Sequence, residues 1–228
     1  KHDETELLGF LAYDDKSDKK MPAILVAPDW SGKNEFACNK AKILADMGYL
    51  GFALDMYGQG RIGSTVDEKK ALMEPLINDR AFLRDRVRSA YDAVLAMPQV
   101  DKNHIAIIGF CFGGLCALDL ARSGADLKGA VSFHGLLNKP EPLKVENIKA
   151  KILVLHGYED PSVSPEQVNL FCQEMQDADV DWQIHMYGQV QHAFTNPQAH
   201  DVQAGLVYNP LAAKRSWQAM SNFFQEIF

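Results

Sequence analysis

Cys111 lies between glycines two positions away on either side, in Ile107-Ile108-Gly109-Phe110-Cys111-Phe112-Gly113-Gly114, where a branched apolar run gives way to a helical pattern. A nucleophile at such a strand-to-helix turn takes a strained backbone conformation. Side chains two residues to either side would collide, so both flanks call for glycine. A helix beginning at Phe112 points its N-terminus at the sulfur, favouring thiolate over thiol, and offers the Phe112 amide to a developing oxyanion. The competing reading is a buried structural cysteine in a tight turn, since free cysteine is commonly core.

Chain order weighs against that alternative. A nucleophile on this kind of turn is followed by an acid and then a histidine, each on a loop after a strand. Asp160 follows the apolar run Lys151 to His156, within His156-Gly157-Tyr158-Glu159-Asp160-Pro161, and His192 follows Asp181 to Tyr187, within Gly188-Gln189-Val190-Gln191-His192-Ala193-Phe194. Together Cys111, His192 and Asp160 read as nucleophile, base and orienting acid. Asp160 also suits a turn before proline, and Glu159 is the alternative acid. His134 and His156 fall at strand ends outside the last long loop and read as core or rim; His104, His185 and His200 have no supporting pattern.

The elements that must carry these loops alternate in the manner of a mainly parallel sheet covered by helices, an α/β fold. Strands are expected at Ala23 to Ala27, Tyr49 to Met56, His104 to Phe110, Ala130 to His134, Lys151 to His156 and Asp181 to Tyr187. Helices are expected from Asn34 to near Gly48, from Arg80 to Met97 before Pro98, from Phe112, from Pro165 to Ala178 and from about Leu211. Residues 60–79 are charge-rich and read as a lid or connecting excursion. With no repeat, low-complexity tract or linker, residues 1–228 are expected to form one domain.

Bulk properties narrow the function. The 228 residues carry 23 basic and 30 acidic side chains, a net charge of −7 that argues against a nucleic-acid surface. The densest basic cluster, Arg80, Arg84, Arg86 and Arg88, reads as a solvated helix face with internal ion pairs. Four unpaired-looking cysteines favour a reducing compartment, and no apolar run approaches membrane-spanning length. A cytoplasmic location is the expectation; because the first residue is Lys1, a periplasmic or secreted protein that has lost its leader is the alternative. Gly58-Gln59-Gly60-Arg61-Ile62-Gly63 matches a dinucleotide fingerprint, but the polar run Ser64-Thr65-Val66-Asp67-Glu68-Lys69-Lys70 after it does not open an apolar helix. There is no His-Glu-x-x-His, His-x-His or paired Cys-x-x-Cys, so neither a metal nor an organic cofactor is expected.

At the elbow, the Asp160 turn and Gln191-His192-Ala193-Phe194, the chain resembles the dienelactone hydrolase family. The resemblance covers nearly the whole chain and includes Pro28-Asp29-Trp30-Ser31-Gly32 and Leu54-Asp55-Met56-Tyr57. Within the family it extends to a metagenome-derived member described as a promiscuous phosphotriesterase. The resemblance implies an α/β-hydrolase fold and hydrolysis of small ester-like substrates, carboxylic esters or lactones with promiscuous phosphotriester turnover, through a covalent intermediate on Cys111. By position it makes the Trp30 amide the second oxyanion donor.

Two departures matter. Where the family has a glutamate that interacts with the resting thiol, this chain has Asp29, one methylene shorter. Where it has a carboxylate-holding arginine four residues after the histidine, this chain has Asn196, and neither Arg61 nor Arg80 aligns with the family's second arginine. Specificity for anionic lactones is therefore not expected to carry over. From another functional class, the alternative is a non-catalytic small-molecule-binding module on the same fold.

Overall fold

The structure, a computed structural model, describes residues 1–16, 19–140 and 147–228. Strands β2 (Met21–Ala27), β3 (Leu50–Ala53), β4 (Val100–Phe110), β5 (Gly129–Phe133), β6 (Lys151–Gly157) and β7 (Trp182–Tyr187) are mutually parallel, and β1 (Phe10–Ala12) joins antiparallel at one edge. The sheet order is β1-β3-β2-β4-β5-β6-β7.

Both faces are covered, which explains why the strands read as continuous apolar runs rather than alternating ones. In β2, Ala23, Leu25 and Ala27 enter one core, while Ile24 and Val26 enter the other. In β4, Ile105 and Ile107 separate in the same way from Ala106, Ile108 and Phe110. The first core is closed by helices α3 (Arg80–Leu95), α4 (Phe112–Arg122) and α5 (Pro165–Asp177). The second is closed by α1 (Glu35–Asp46), through Ala37, Ala41 and Leu44, and by α6 (Pro210–Ile227), through Ala212, Met220, Phe223 and Phe224. In such sheets, ligands bind beyond the carboxyl ends of the strands, which here carry residues 28–32, Cys111, His134, Asp160 and His192.

The structure refines one expectation and corrects others. Residues 60–79 contain a helix, α2 (Val66–Asn78), opened by a capping box in which Thr65 accepts from the Glu68 amide and the Glu68 carboxylate accepts from the Thr65 amide. The strand expected at Tyr49 to Met56 ends at Ala53, because the chain then wraps around the Asp55 carboxylate. Asp55 accepts from the amides of Tyr57 and Gly58 on Oδ1 and of Gly60 and Leu8 on Oδ2. The glycine-rich loop that imitates a dinucleotide fingerprint thus already holds an anion, the protein's own carboxylate. A two-strand hairpin, β8 (His200–Asp201) with β9 (Leu206–Val207), was also not anticipated.

The arginine cluster is not a solvated face. Arg88 does pair with Asp92 at the surface (3.3 Å), but Arg80 and Arg86 are buried. Arg80 donates twice to Asp119, at 2.6 and 2.7 Å, and Arg86 donates to the Met56 carbonyl (3.1 Å) and to His2 Nδ1 (2.9 Å). Their partners lie 30 to 84 residues away in sequence, beyond the reach of helical periodicity. All four cysteines are free thiols. Among the described residues no helix is long and apolar enough to cross a membrane.

Candidate active site

Cys111 adopts φ 54° and ψ −116°, a conformation that costs a non-glycine residue strain and holds the sulfur out at the head of α4. The Cys111 amide donates to the Phe133 carbonyl (3.0 Å), and the first turn of α4 closes with Gly114 donating to the Cys111 carbonyl (2.9 Å). The glycine requirement is physical. A Cβ on Gly109 would stand 1.8 Å from the Gly113 carbonyl oxygen, and one on Gly113 would stand 2.1 Å from that of Ala27.

Asp160 and His192 are fixed by lacing their loops together. Beyond β6 and β7, the Tyr158 amide donates to the Tyr187 carbonyl and the Glu159 amide to the Val190 carbonyl, both at 2.9 Å. Gly157 lets the strands approach, since a Cβ there would meet the Val190 oxygen at 2.4 Å. The Asp160 carboxylate accepts from the Ser162 amide on Oδ1 (2.8 Å) and from His192 Nδ1 on Oδ2 (2.7 Å). On the far side, Val207 of the hairpin donates to the His192 carbonyl (3.0 Å), and Gly205 packs against Pro161. The hairpin braces His192 and Asp160 together.

The His192 imidazole is buried. Burial alone would lower its basicity, but the charge and hydrogen bonding of Cys111 together with the Asp160 carboxylate overcome this and push it up to about 10. Its protonated form is therefore the favoured one whenever the sulfur is a thiolate. Glu159, the alternative acid, does not take this position; Asp160 does.

The loop after β2 is equally constrained. The Tyr57 hydroxyl donates to the Trp30 carbonyl (2.8 Å), the Gly63 amide to the Ser31 carbonyl (2.9 Å) and the Ser31 amide to Asp29 Oδ1 (2.7 Å). Burial pushes the Tyr57 phenol far up, reinforced by the fields of Cys116, Asp29 and Cys111, so it remains a donor. Burial also pushes the Asp29 carboxyl up, against the Ser31 hydrogen bonds, the Lys69 charge and a hydrogen bond from Asn34.

A cavity of about 510 Å³ opens over this constellation, and Asp29, Trp30, Cys111, Phe112, His192 and Asn196 all contribute to its wall. Every site residue singled out from sequence thus borders it except Asp160, which sits behind His192 with its side chain sealed from solvent. Several contributors escaped sequence reasoning. Val66, Lys69 and Met73 of α2 line the cavity, with Lys69 Nζ 5.5 Å from the Trp30 ring. The Thr65-x-x-Glu68 signal could have revealed that helix. His134, read as core or rim, is both buried and cavity-lining. Its Nε2 lies 2.7 Å from Thr195 Oγ1, its ring stands edge-on to His192 at 5.1 Å, and burial and the neighbouring His192 charge push its pKa far down.

An elbow cysteine heading a helix, with histidine and acid on later strand loops of a mainly parallel sheet, defines an α/β-hydrolase. The sequence profile of the dienelactone hydrolase family matches residues 7–228, and the chain belongs to that family and is a hydrolase. It is similar to a solved structure described as m3DLH (41% identity, TM-score 0.95, covering all of this chain and 95% of that one). It is likewise similar to a dienelactone hydrolase-like promiscuous phosphotriesterase from metagenomic libraries (36% identity, TM-score 0.96, the same coverage). A protein of Aquifex aeolicus provisionally named a carboxymethylenebutenolidase is 29% identical over 90% of this chain and 87% of its own.

Proposed function

We propose that this protein hydrolyses small carboxylic esters or lactones through a covalent intermediate on Cys111, with neutral phosphotriesters as promiscuous substrates. The observation that carries the reading is the His192 imidazole, held 2.7 Å from Asp160 on one side and coupled to the Cys111 sulfur on the other. The similarity to a phosphotriesterase supports the second substrate class.

The Cys111 thiolate attacks the carbonyl carbon, and the oxyanion forms against the Phe112 and Trp30 amides. Collapse breaks the bond to the leaving oxygen, which takes the proton from the His192 imidazolium. Water then gives a proton to the neutral His192 and attacks the thioester; the carboxylic acid leaves and the thiolate–imidazolium pair is restored. Asp160 keeps the ring oriented and compensates its charge throughout.

The reacting end of the substrate is neutral. Arg80 is committed to Asp119, and Arg61 to the carbonyls of Tyr57 and Gly58. Lys69 in the cavity wall already interacts electrostatically with Asp29. A carboxylate beside the scissile bond would therefore lose hydration without gaining a committed partner. Alkylation with iodoacetamide tests the nucleophile: labelling of Cys111 should be fastest among the cysteines and should abolish ester turnover in proportion. Full turnover after stoichiometric Cys111 alkylation would overturn the proposal.

A further inference from the structure

A second cavity, about 450 Å³, shares Phe36, Asn196 and Gln198 with the reaction cavity as a common wall and is otherwise lined by Asn34, Pro197 and α1 residues that include Asn39 and Lys40. We propose that it is a subsite for a monoanionic carboxylate at the distal end of the substrate, with Lys40 as the recognising charge. This inference rests on the proposed ester hydrolysis at Cys111 and names the substrate's far end.

Lys40 is held among aromatic rings. Its Nζ lies 4.6 Å from the Trp217 ring centroid, 5.0 Å from Phe36 and 5.7 Å from Phe110. Three π faces stabilise an ammonium without neutralising it, since the rings carry no net charge. Among the described residues no carboxylate pairs with Nζ and no oxygen accepts from it. Burial alone pushes its pKa down to about 8, so an anion brought beside it would relieve an uncompensated charge. Phe110, one of the three rings, directly precedes Cys111, and the Lys40 charge is felt at His134, the ring packed on His192. The cavity is thus near enough to the chemistry to hold the other end of a substrate.

The remaining lining selects the ligand. Asn196 Oδ1 is occupied by the Gln198 amide (3.0 Å), which leaves the Asn196 side-chain NH₂ as a donor on the shared wall. Asn39 and Gln198 contribute further amides. One ammonium with neutral donors matches a single negative charge, and the exposed Glu35 on the same lining disfavours a dianion such as a phosphate monoester. Asn196 borders both cavities, so its side chain stands between the reaction cavity and the Lys40 cavity.

The test compares the mono-para-nitrophenyl ester of adipate with para-nitrophenyl hexanoate, in which a methyl replaces the carboxylate. Calorimetric binding of adipamate, an unreactive monoanion, is measured alongside. Lys40→Met should lower the adipate-to-hexanoate ratio of kcat/KM by about tenfold and weaken adipamate by a similar factor, while Lys40→Arg should restore most of both. A Lys40→Met ratio unchanged within twofold, or equal loss on both esters with adipamate binding intact, would overturn the subsite and leave Lys40 as a brace between Phe110 and Trp217. Because adipamate binding needs no turnover, the subsite can fail or stand independently of Cys111's role, which alkylation and Cys111 replacement decide.

Discussion

Two clusters of buried polar groups, one around α4 and one at the strand ends, differ in how completely they are satisfied. On the helical side, Arg80 and Arg122 converge on Asp119, Arg122 reaches on to Glu174 at 2.7 and 2.8 Å, and the spare guanidinium hydrogens go to the Leu137 and Asn138 carbonyls. Two cations meet two anions, and α3, α4 and α5 are stapled together. At the strand ends the opposite holds. The buried atoms without a protein partner among the described residues are Ser132 Oγ, His134 Nδ1, His156 Nδ1 and Tyr187 OH, all on β5, β6 and β7 or at the carboxyl end of β5, the end that carries Asp160 and His192. Complete pairing fixes geometry and leaves nothing to react; incomplete pairing costs stability but keeps groups whose protonation can change. Removing a partner should therefore cost folding in the first cluster and rate in the second.

The largest effect is expected at the nucleophile. Cys111→Ala should lower ester kcat by roughly 10⁴-fold or more, the scale seen when a triad nucleophile is deleted, while leaving the urea midpoint close to the parent value. Steady-state kinetics and urea denaturation on the same preparations decide it; a loss of rate that merely tracks loss of folded protein would break the contrast.

Asp119→Asn gives the converse. Arg80 and Arg122 lose the charge they share in a fully buried site, and breaking such a network is expected to destabilise by about 3–5 kcal/mol. The fraction that stays folded should keep kcat within a few-fold. Asp160→Asn should instead cost about 10²–10⁴ in kcat through loss of the imidazolium's counter-charge, with a smaller change in folding.

What the sequence could and could not disclose follows the same division. The elbow was legible because Gly109 and Gly113 are local steric necessities, and Asp160 and His192 because each follows an apolar run in the order a parallel sheet demands. The stapled network was invisible: Arg80 looked solvated because Asp119 lies 39 residues away, and only tertiary packing brings them together. Helix α2 was obscured by its charge and by Pro75 within it, although its capping box was present. The hairpin bracing His192 has strands of two residues each, too short to show a period.

Charge selectivity offers a smaller test. With Asn196 in place, a neutral aryl ester should exceed an anionic dienelactone in kcat/KM, and Asn196→Arg should shift that ratio by about tenfold toward the dienelactone, roughly one charge-assisted hydrogen bond. A dienelactone already preferred tenfold by the parent protein would show that the reaction cavity holds an anion after all, with Lys69 the nearest cation to examine.

Acid stability offers a separate test. Burial holds His134 and His156 below the usual histidine range, so the unfolded chain takes up protons near pH 6.5 that the folded chain refuses. Their contribution is fully present above that pH and declines as pH falls through and below it, by up to about 1.4 kcal/mol per pH unit for each proton. His192, raised in the folded state, is protonated in both states well below pH 6.5 and adds no slope there; its own contribution is fully present below that pH and is lost as pH rises from about 6.5 through about 10. Urea midpoints at pH 7 and pH 5 measure the acid limb, and His156→Phe should flatten it.

The central claim is that the strained cysteine forms and breaks a covalent bond with substrate. Rapid acid quenching during turnover of a neutral phosphotriester or a slow aryl ester, followed by intact-protein and peptide mass spectrometry, tests this most directly. The predicted result is a phosphoryl or acyl mass increment confined to the peptide bearing Cys111, absent from Cys111→Ala and persisting longer when His192 is replaced by alanine. Turnover in the parent protein with no adduct at Cys111 under these conditions, or with the adduct on another residue, would contradict the account.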